Sequence, residues 1–248
     1  LTQGATSEDE VDESEGEIDP SNFQTLDVGS PFDFAAQGVL YLPKHLPEPG
    51  RDGPSKEVLT ELGELIDAAG GRTLALFSSW RGVEAADAHL RDVLKELPIT
   101  IITQKRGDAV GPLVERFAKD ETSILLGTMS LWQGVDVPGN SCILVAIDRI
   151  PFPRPDEPVM AARSSQADAA GGSGFMQVSM PRAALLLAQG TGRLIRSVDD
   201  RGIVAILDSR IVTKRYGSVL LNSMPPLWRT SDKSVVCDSL NRLRDTFC

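Results

Sequence analysis

The feature that most constrains this chain is an alternation. Short segments of almost unbroken apolar residues are separated by segments whose apolar residues recur every three or four positions. Residues 73–77, 99–102, 123–127, 142–147 and 203–207 are of the first kind, with a shorter candidate at 39–42. Val58, Leu59, Leu62, Leu65, Ile66 and Ala69, ended by Gly70 and Gly71, typify the second. Similar stripes predict helices across Val83–Leu97, around Leu113 and Phe117, from about Arg182 to Ile195, and from Val236 to Phe247. A strand with no polar side must be covered on both sides. The pattern therefore predicts an α/β fold with a mainly parallel sheet and helices on both faces, a three-layer arrangement. Four prolines between 151 and 158 predict a bend, and the Ala-, Gly- and Ser-rich stretch 167–174 a mobile loop.

Charge divides the chain. The net charge of -10 argues against a polyanionic partner, but ten acids and no Lys or Arg fall in residues 1–43, leaving 25 acids to match the 25 basic residues of the remainder. A block of like charge with Ser and Gly is the composition of a solvated segment. Residues 1–30 are thus expected to be an acidic, flexible leader and 31–248 one domain. The apolar runs are too short to span a bilayer, so no membrane partner is expected. No basic region precedes an apolar one, so no secretory signal is expected, and the absence of an initial Met points to a processed chain or a fragment. Three cysteines without paired or metal-ligand spacing fit a reducing cytoplasm and no metal site, with Cys142 as core. His45 and His89 have no ligand-like neighbours in sequence and read as surface or helix-face residues.

In a parallel sheet ligands bind beyond the carboxyl ends of the strands. After 73–77 come Ser78, Ser79 and Trp80; small hydroxyls there can cap a helix or meet a phosphate. After 123–127 comes Thr128, followed by Gly134, which permits close backbone approach, and Asp136, whose carboxylate can accept from a ribose. A plain turn is the competing reading for 136–139. The third stretch is Gln189, Gly190, Thr191, Gly192, Arg193, Leu194, Ile195 and Arg196. Two glycines inside an apolar helical pattern cost about 1 kcal/mol each relative to Ala, so close backbone approach is needed there. On a helix Arg193 and Arg196 would share a face, a usual way to stabilise charge on a transferring phosphoryl group.

These three stretches resemble motifs IV, V and VI of superfamily 2 helicases, in wording closest to the DinG branch, relatives of XPD. Residues 28–34 and 148–153 are also similar to that family, and the resemblance runs from about 27 to 247. It implies a second RecA-like motor domain of an ATP-dependent DNA helicase, with 5′-to-3′ polarity. It also implies Arg193 and Arg196 on the nucleotide phosphates, with Arg196 as finger. Gln189, Gly192, Gly134 and Asp136 would lie around the nucleotide, and Ser78, Ser79 and Thr128 on the DNA backbone. Trp80 and Trp132 would either stack bases or pack in the core. No Gly-x-x-x-x-Gly-Lys-Ser/Thr loop is present, and Asp156-Glu157 lies in the proline bend rather than after a strand. ATP and Mg²⁺ are therefore expected to be held mainly by a first motor domain, which with single-stranded DNA is the expected partner. The three cysteines do not suffice for the iron–sulfur cluster of many relatives. The alternative reading is a non-catalytic nucleic-acid-binding or regulatory module of the same fold. A dinucleotide enzyme would need Gly-x-Gly-x-x-Gly after the first strand, which is absent.

Overall fold

The computed structural model describes residue 26, residues 29–128, residue 131, and residues 141–154 and 157–246. The account below concerns the unit Pro31–Cys248. Its elements follow one another as α1 (Phe34–Gln37), β1 (Gly38–Tyr41), α2 (Lys56–Ala69), β2 (Thr73–Leu76), α3 (Trp80–Val93), β3 (Thr100–Thr103), α4 (Val110–Lys119) and β4 (Ser123–Gly127). After these come β5 (Leu144–Ile147), α5 (Pro158–Ala169), a π-helical turn (Phe175–Ser179), α6 (Met180–Thr191), β6 (Gly202–Ile206), α7 (Arg210–Thr213), α8 (Gly217–Asn222), β7 (Trp228–Thr230) and α9 (Lys233–Thr246).

The strands form one sheet in the order β3-β4-β2-β5-β6-β1-β7, with every neighbouring pair parallel. Alternate residues of each strand serve opposite faces. Leu74, Leu76, Val145, Ile147, Val204 and Ile206 pack with Phe117 of α4 and Leu186 and Leu187 of α6. Ala75, Leu144, Ala146, Ile203 and Ala205 pack with Leu62, Leu65 and Ile66 of α2, Leu90 of α3 and Leu240 of α9. This is the three-layer α/β fold that the alternation predicts. Cys142 is core as expected, and burial pushes its thiol up to about 12.

Local signals account for the boundaries. The Ser55 hydroxyl accepts from the Val58 N–H at the start of α2, and Gly70, at φ +64°, closes that helix in the left-handed conformation. Phe247, expected in the closing helix, lies outside the described residues.

Three elements differ from expectation. The described residues 151–154 and 157 are neither helix nor strand, as a bend requires, but α5 then begins at Pro158 and takes in 167–169 of the stretch expected to be a loop, before a turn leads into the π-helical segment. No residue of α5 is buried, so no apolar period marks it. The three-residue edge strand β7, with Trp228 half exposed, was likewise not anticipated. The helix expected to reach Ile195 stops at Thr191, where the Thr191 hydroxyl donates to the carbonyls of Leu187 (2.8 Å) and Ala188 (3.1 Å). Gly192 follows as the cap residue, and Leu194 and Ile195 beyond it are both buried and join the core face shared with α6.

Candidate functional site

The parallel sheet has two distinct edges, and the candidate residues divide between them. At the carboxyl edge, the neighbouring strands β3, β4, β2, β5 and β6 are followed in turn by Gln104, Thr128, Ser78, Asp148 and Asp208. The Ser78 N–H donates to Asp148 Oδ1 at 2.9 Å and the Ser78 hydroxyl to Oδ2 at 3.3 Å. Arg149 Nε reaches the same Oδ2 at 3.1 Å. Burial pushes the Asp148 carboxyl up to about 6, even though Arg149 and the Ser78 N–H favour its charged form. Asp208, fully buried, receives the Ile150 N–H at 2.9 Å and a two-pronged contact from Arg210, Nε to Oδ1 at 2.9 Å and Nη2 to Oδ2 at 2.7 Å.

Ser79 is a helix cap: its hydroxyl accepts from the Gly82 N–H at 3.1 Å and starts α3. Thr128 is buried, with its N–H (2.9 Å) and hydroxyl (3.3 Å) directed at Gln104 Oε1. Ser78 is half-buried and, unlike Ser79, does not serve as a cap. Trp80 begins α3, and the Arg106 guanidinium lies over its ring at 5.7 Å. Gly134, Asp136 and Trp132 lie outside the described residues.

The arginines of the third stretch stand at the opposite, amino edge. They are not on one helical face as expected. Arg193 is in the turn after α6 and Arg196 in the segment leading to β6. The turn is tight: Arg193 N–H bonds the Gly190 carbonyl and Leu194 N–H the Thr191 carbonyl. Asp200 accepts from the N–H groups of Arg196 and Ser197, both at 2.8 Å, and Arg196 Nε turns back to the Arg193 carbonyl at 3.3 Å. Burial presses the Arg196 guanidinium below its usual range, with Asp200 opposing the shift. Gln37, buried at the start of β1, donates its side-chain amide to the carbonyls of Ser197 (2.9 Å), Val198 (3.2 Å) and Asp200 (3.2 Å). A Cβ on Gly202 would lie 2.6 Å from Leu194 Cδ1 and 2.7 Å from the Ile143 carbonyl oxygen, so only glycine lets the loop pass under β6. Within α6, Gln189 carries a buried Oε1 with no hydrogen-bond partner among the described residues, whereas Gly192 is exposed at the helix end.

Gln37, Gln104, Asp148, Asp200 and Asp208 were not picked out from the sequence as site residues. For three of them the signal was available: a polar residue directly after an apolar strand, at 104, 148 and 208. His45 is exposed, as the sequence leads one to expect. Its Nε2 lies 3.3 Å from Glu61 Oε2, in a cluster where Glu61 also receives the Tyr41 hydroxyl and, at 3.0 Å, the Lys233 ammonium.

The helicase C-terminal domain family matches residues 62–227. The chain is 56% identical over 219 residues to the ATP-dependent helicase DinG of Mycobacterium tuberculosis, a match covering 88% of this chain and 32% of that protein. It is 35% identical over 212 residues to the ATP-dependent DNA helicase YoaA of Escherichia coli, covering 84% and 32% respectively. Each of these relatives is thus spanned over less than half its length. An apo XPD structure is similar in fold, with a TM-score of 0.57 at 15% identity over 80% of this chain and 40% of that one. The family resemblance and the RecA-like α/β fold read from the motifs are both borne out.

Proposed function

Because the chain belongs to the family of helicase C-terminal domains, we propose that it is the second motor half of an ATP-dependent DNA helicase of the DinG kind. In this reading it lends arginines to an ATP site completed by a first motor domain and grips single-stranded DNA. The observation that carries the reading is that the candidate residues fall on two opposite edges of one sheet. Arg193 and Arg196 occupy the amino edge, and Ser78 the carboxyl edge. β5 and β6 connect the two.

The chemistry follows from that placement. Arg196 would leave the Arg193 carbonyl for the terminal phosphate, where a guanidinium stabilises charge in a transferring phosphoryl group. Gln37 and Asp200 would hold the loop so that the arginine swings and the backbone does not. Gln189 and Gly192 would shape the approach of the helix end to the nucleotide, with Gly134 and Asp136 beside it. At the other edge, Ser78, the capped turn at Ser79 and Thr128 would contact the DNA backbone, which gives grip without reading sequence. Since both ends belong to one packed sheet, cleft closure on ATP would move the DNA grip as a body. Repeated closure gives translocation, with 5′-to-3′ polarity expected from the family.

Among the described residues no group of three or more His, Cys, Asp or Glu side chains is placed to hold a metal. The sequence also carries no phosphate loop, so the triphosphate and its Mg²⁺ are assigned to the first motor domain. Among the described residues no helix is long and apolar enough to cross a membrane. Action on DNA in the cytoplasm is the matching compartment.

The test is ATP turnover by this chain alone, and after mixing with a first motor domain, with and without single-stranded DNA. DNA-stimulated turnover only on mixing supports the proposal. Turnover by the chain alone would overturn the assignment of the triphosphate. Binding of DNA with no turnover in any mixture would favour a non-catalytic clamp.

A further inference from the structure

Phe152, in the segment after β5, Phe175, in the π-helical turn, and Tyr216, after β6, converge on the carboxyl edge of the sheet. Their ring centroids are 5.3 Å (Phe152–Phe175), 5.7 Å (Phe152–Tyr216) and 5.5 Å (Phe175–Tyr216) apart. Arg210 stands with its guanidinium carbon 5.8 Å from the Phe152 ring centre. Its plane is not free to wander, because the two-pronged contact to buried Asp208 fixes it.

A satellite core would account for three packed rings, but a satellite core closes over its aromatic members, and here Phe175 is 41% exposed. The ring is also delivered by an unusual device. π-Helical turns are rare and occur often at functional sites, where one extra residue re-aims a side chain. The turn Phe175–Ser179 runs directly into α6 and begins at the ring itself. An exposed aromatic face beside a fixed guanidinium matches the chemistry of single-strand binding, where bases stack on rings and arginines whatever their identity. β6 lies two strands from β2, about 10 Å along the edge at the usual strand spacing, which a short run of nucleotides bridges.

We propose that Phe175, backed by Phe152 and Tyr216 and flanked by Arg210, is a stacking site for an unpaired nucleobase of the strand whose backbone passes Ser78. This rests on the reading of the carboxyl edge as the DNA grip. The ligand is a base of any identity, since every base offers a π-face.

The experiment is fluorescence anisotropy of the 248-residue chain with a labelled oligothymidine and with an abasic oligomer of equal length. The parent chain is expected to bind oligothymidine more tightly than the abasic strand. Phe175→Ala is expected to weaken oligothymidine binding roughly tenfold and leave the abasic oligomer unchanged. Phe175→Leu, which keeps apolar bulk against Phe152, should behave as the alanine variant, and Phe175→Tyr should restore binding. Ser78→Ala should weaken both oligomers alike. Parent-like oligothymidine binding by Phe175→Ala and Phe175→Leu would overturn the stacking site and leave the grip at Ser78 standing. Failure of the parent to bind either oligomer would overturn both.

Discussion

Asp148 holds Ser78 by two atoms at once, the backbone N–H on one carboxylate oxygen and the hydroxyl on the other. Ser78, proposed to contact the DNA backbone, therefore has its hydroxyl proton directed into the protein while Asp148 is charged. A protonated Asp148 would donate to the Ser78 oxygen instead and release the hydroxyl proton outward. The carboxyl titrates near 3.8 in the unfolded chain and about 6 in the fold.

The first prediction concerns pH. Because the folded value is the higher, the native state keeps a proton that the unfolded chain has lost. The contribution of this group to stability is full below pH 3.8 and is lost as pH rises through 6. Binding of single-stranded DNA should strengthen as pH falls through about 6, beyond any change common to a Ser78→Ala variant. Asp148→Asn should lose that step. Anisotropy titrations between pH 5 and 8 measure it, and identical profiles for parent and Asp148→Asn would refute the switch.

Arg196→Ala in an assembled two-domain motor should lower ATP turnover by roughly 10³-fold or more while nucleotide binding is largely kept. Arg196→Lys keeps the charge but not the planar donor fork, and should rescue little. Steady-state turnover together with binding of a fluorescent ATP analogue checks both. Normal turnover by Arg196→Ala would remove the finger from this residue.

Gly202→Ala places a methyl against the Ile143 carbonyl and the Leu194 side chain. Backbone on one side prevents easy relief, so a loss of about 1–3 kcal/mol is expected. Gly38→Ala meets only the far end of Leu227 at its closest contact and should cost less. Denaturant unfolding of the two variants ranks them, and the reverse order would contradict the account of how the arginine loop passes the sheet.

Glu61 joins β1, α2 and α9 by accepting from Tyr41 and Lys233. Burial works to raise its carboxyl, but these donors and the Lys233 charge prevail and hold it below the usual carboxylate range. Its stabilisation is present above the unfolded value of 4.5 and is lost as pH falls through the lower folded value. Glu61→Ala leaves the buried Tyr41 hydroxyl without its acceptor and should cost about 2 kcal/mol at neutral pH, less in acid. Thermal melts of parent and variant at pH 7 and pH 4 test the sign.

Sequence pattern made the scaffold readable because burial leaves a periodic trace. Residues 58–69 and 203–207 are covered on the sides that their apolar residues predict. α5 left no such trace, since it buries nothing, and β7 is too short and too exposed to leave one. Arg193 and Arg196 stand out by their spacing in a motif, but the shared helix face expected for them is not the one the fold provides. The apolar stripe runs on through the buried Leu194 and Ile195, whereas the helix itself ends at Thr191 with Gly192 as its cap. Asp148 and Gln37 were missed for a different reason. Their importance lies in hydrogen bonds to residues far off in the chain, which no local pattern encodes.

The position of β1 also has a consequence for how the molecule comes into being. This early strand lies between β6 and β7, and its neighbour Gln37 bonds to a loop 160 residues later in the chain. Pairings so distant close slowly, because a long loop must be ordered before any contact rewards it. On the ribosome, β2, β3, β4 and β5 can assemble while β1 waits with both flanks unpaired. β6, which brings in both β1 and the loop carrying the two arginines, is then among the last parts to form, and a chain interrupted before it holds only a partial sheet.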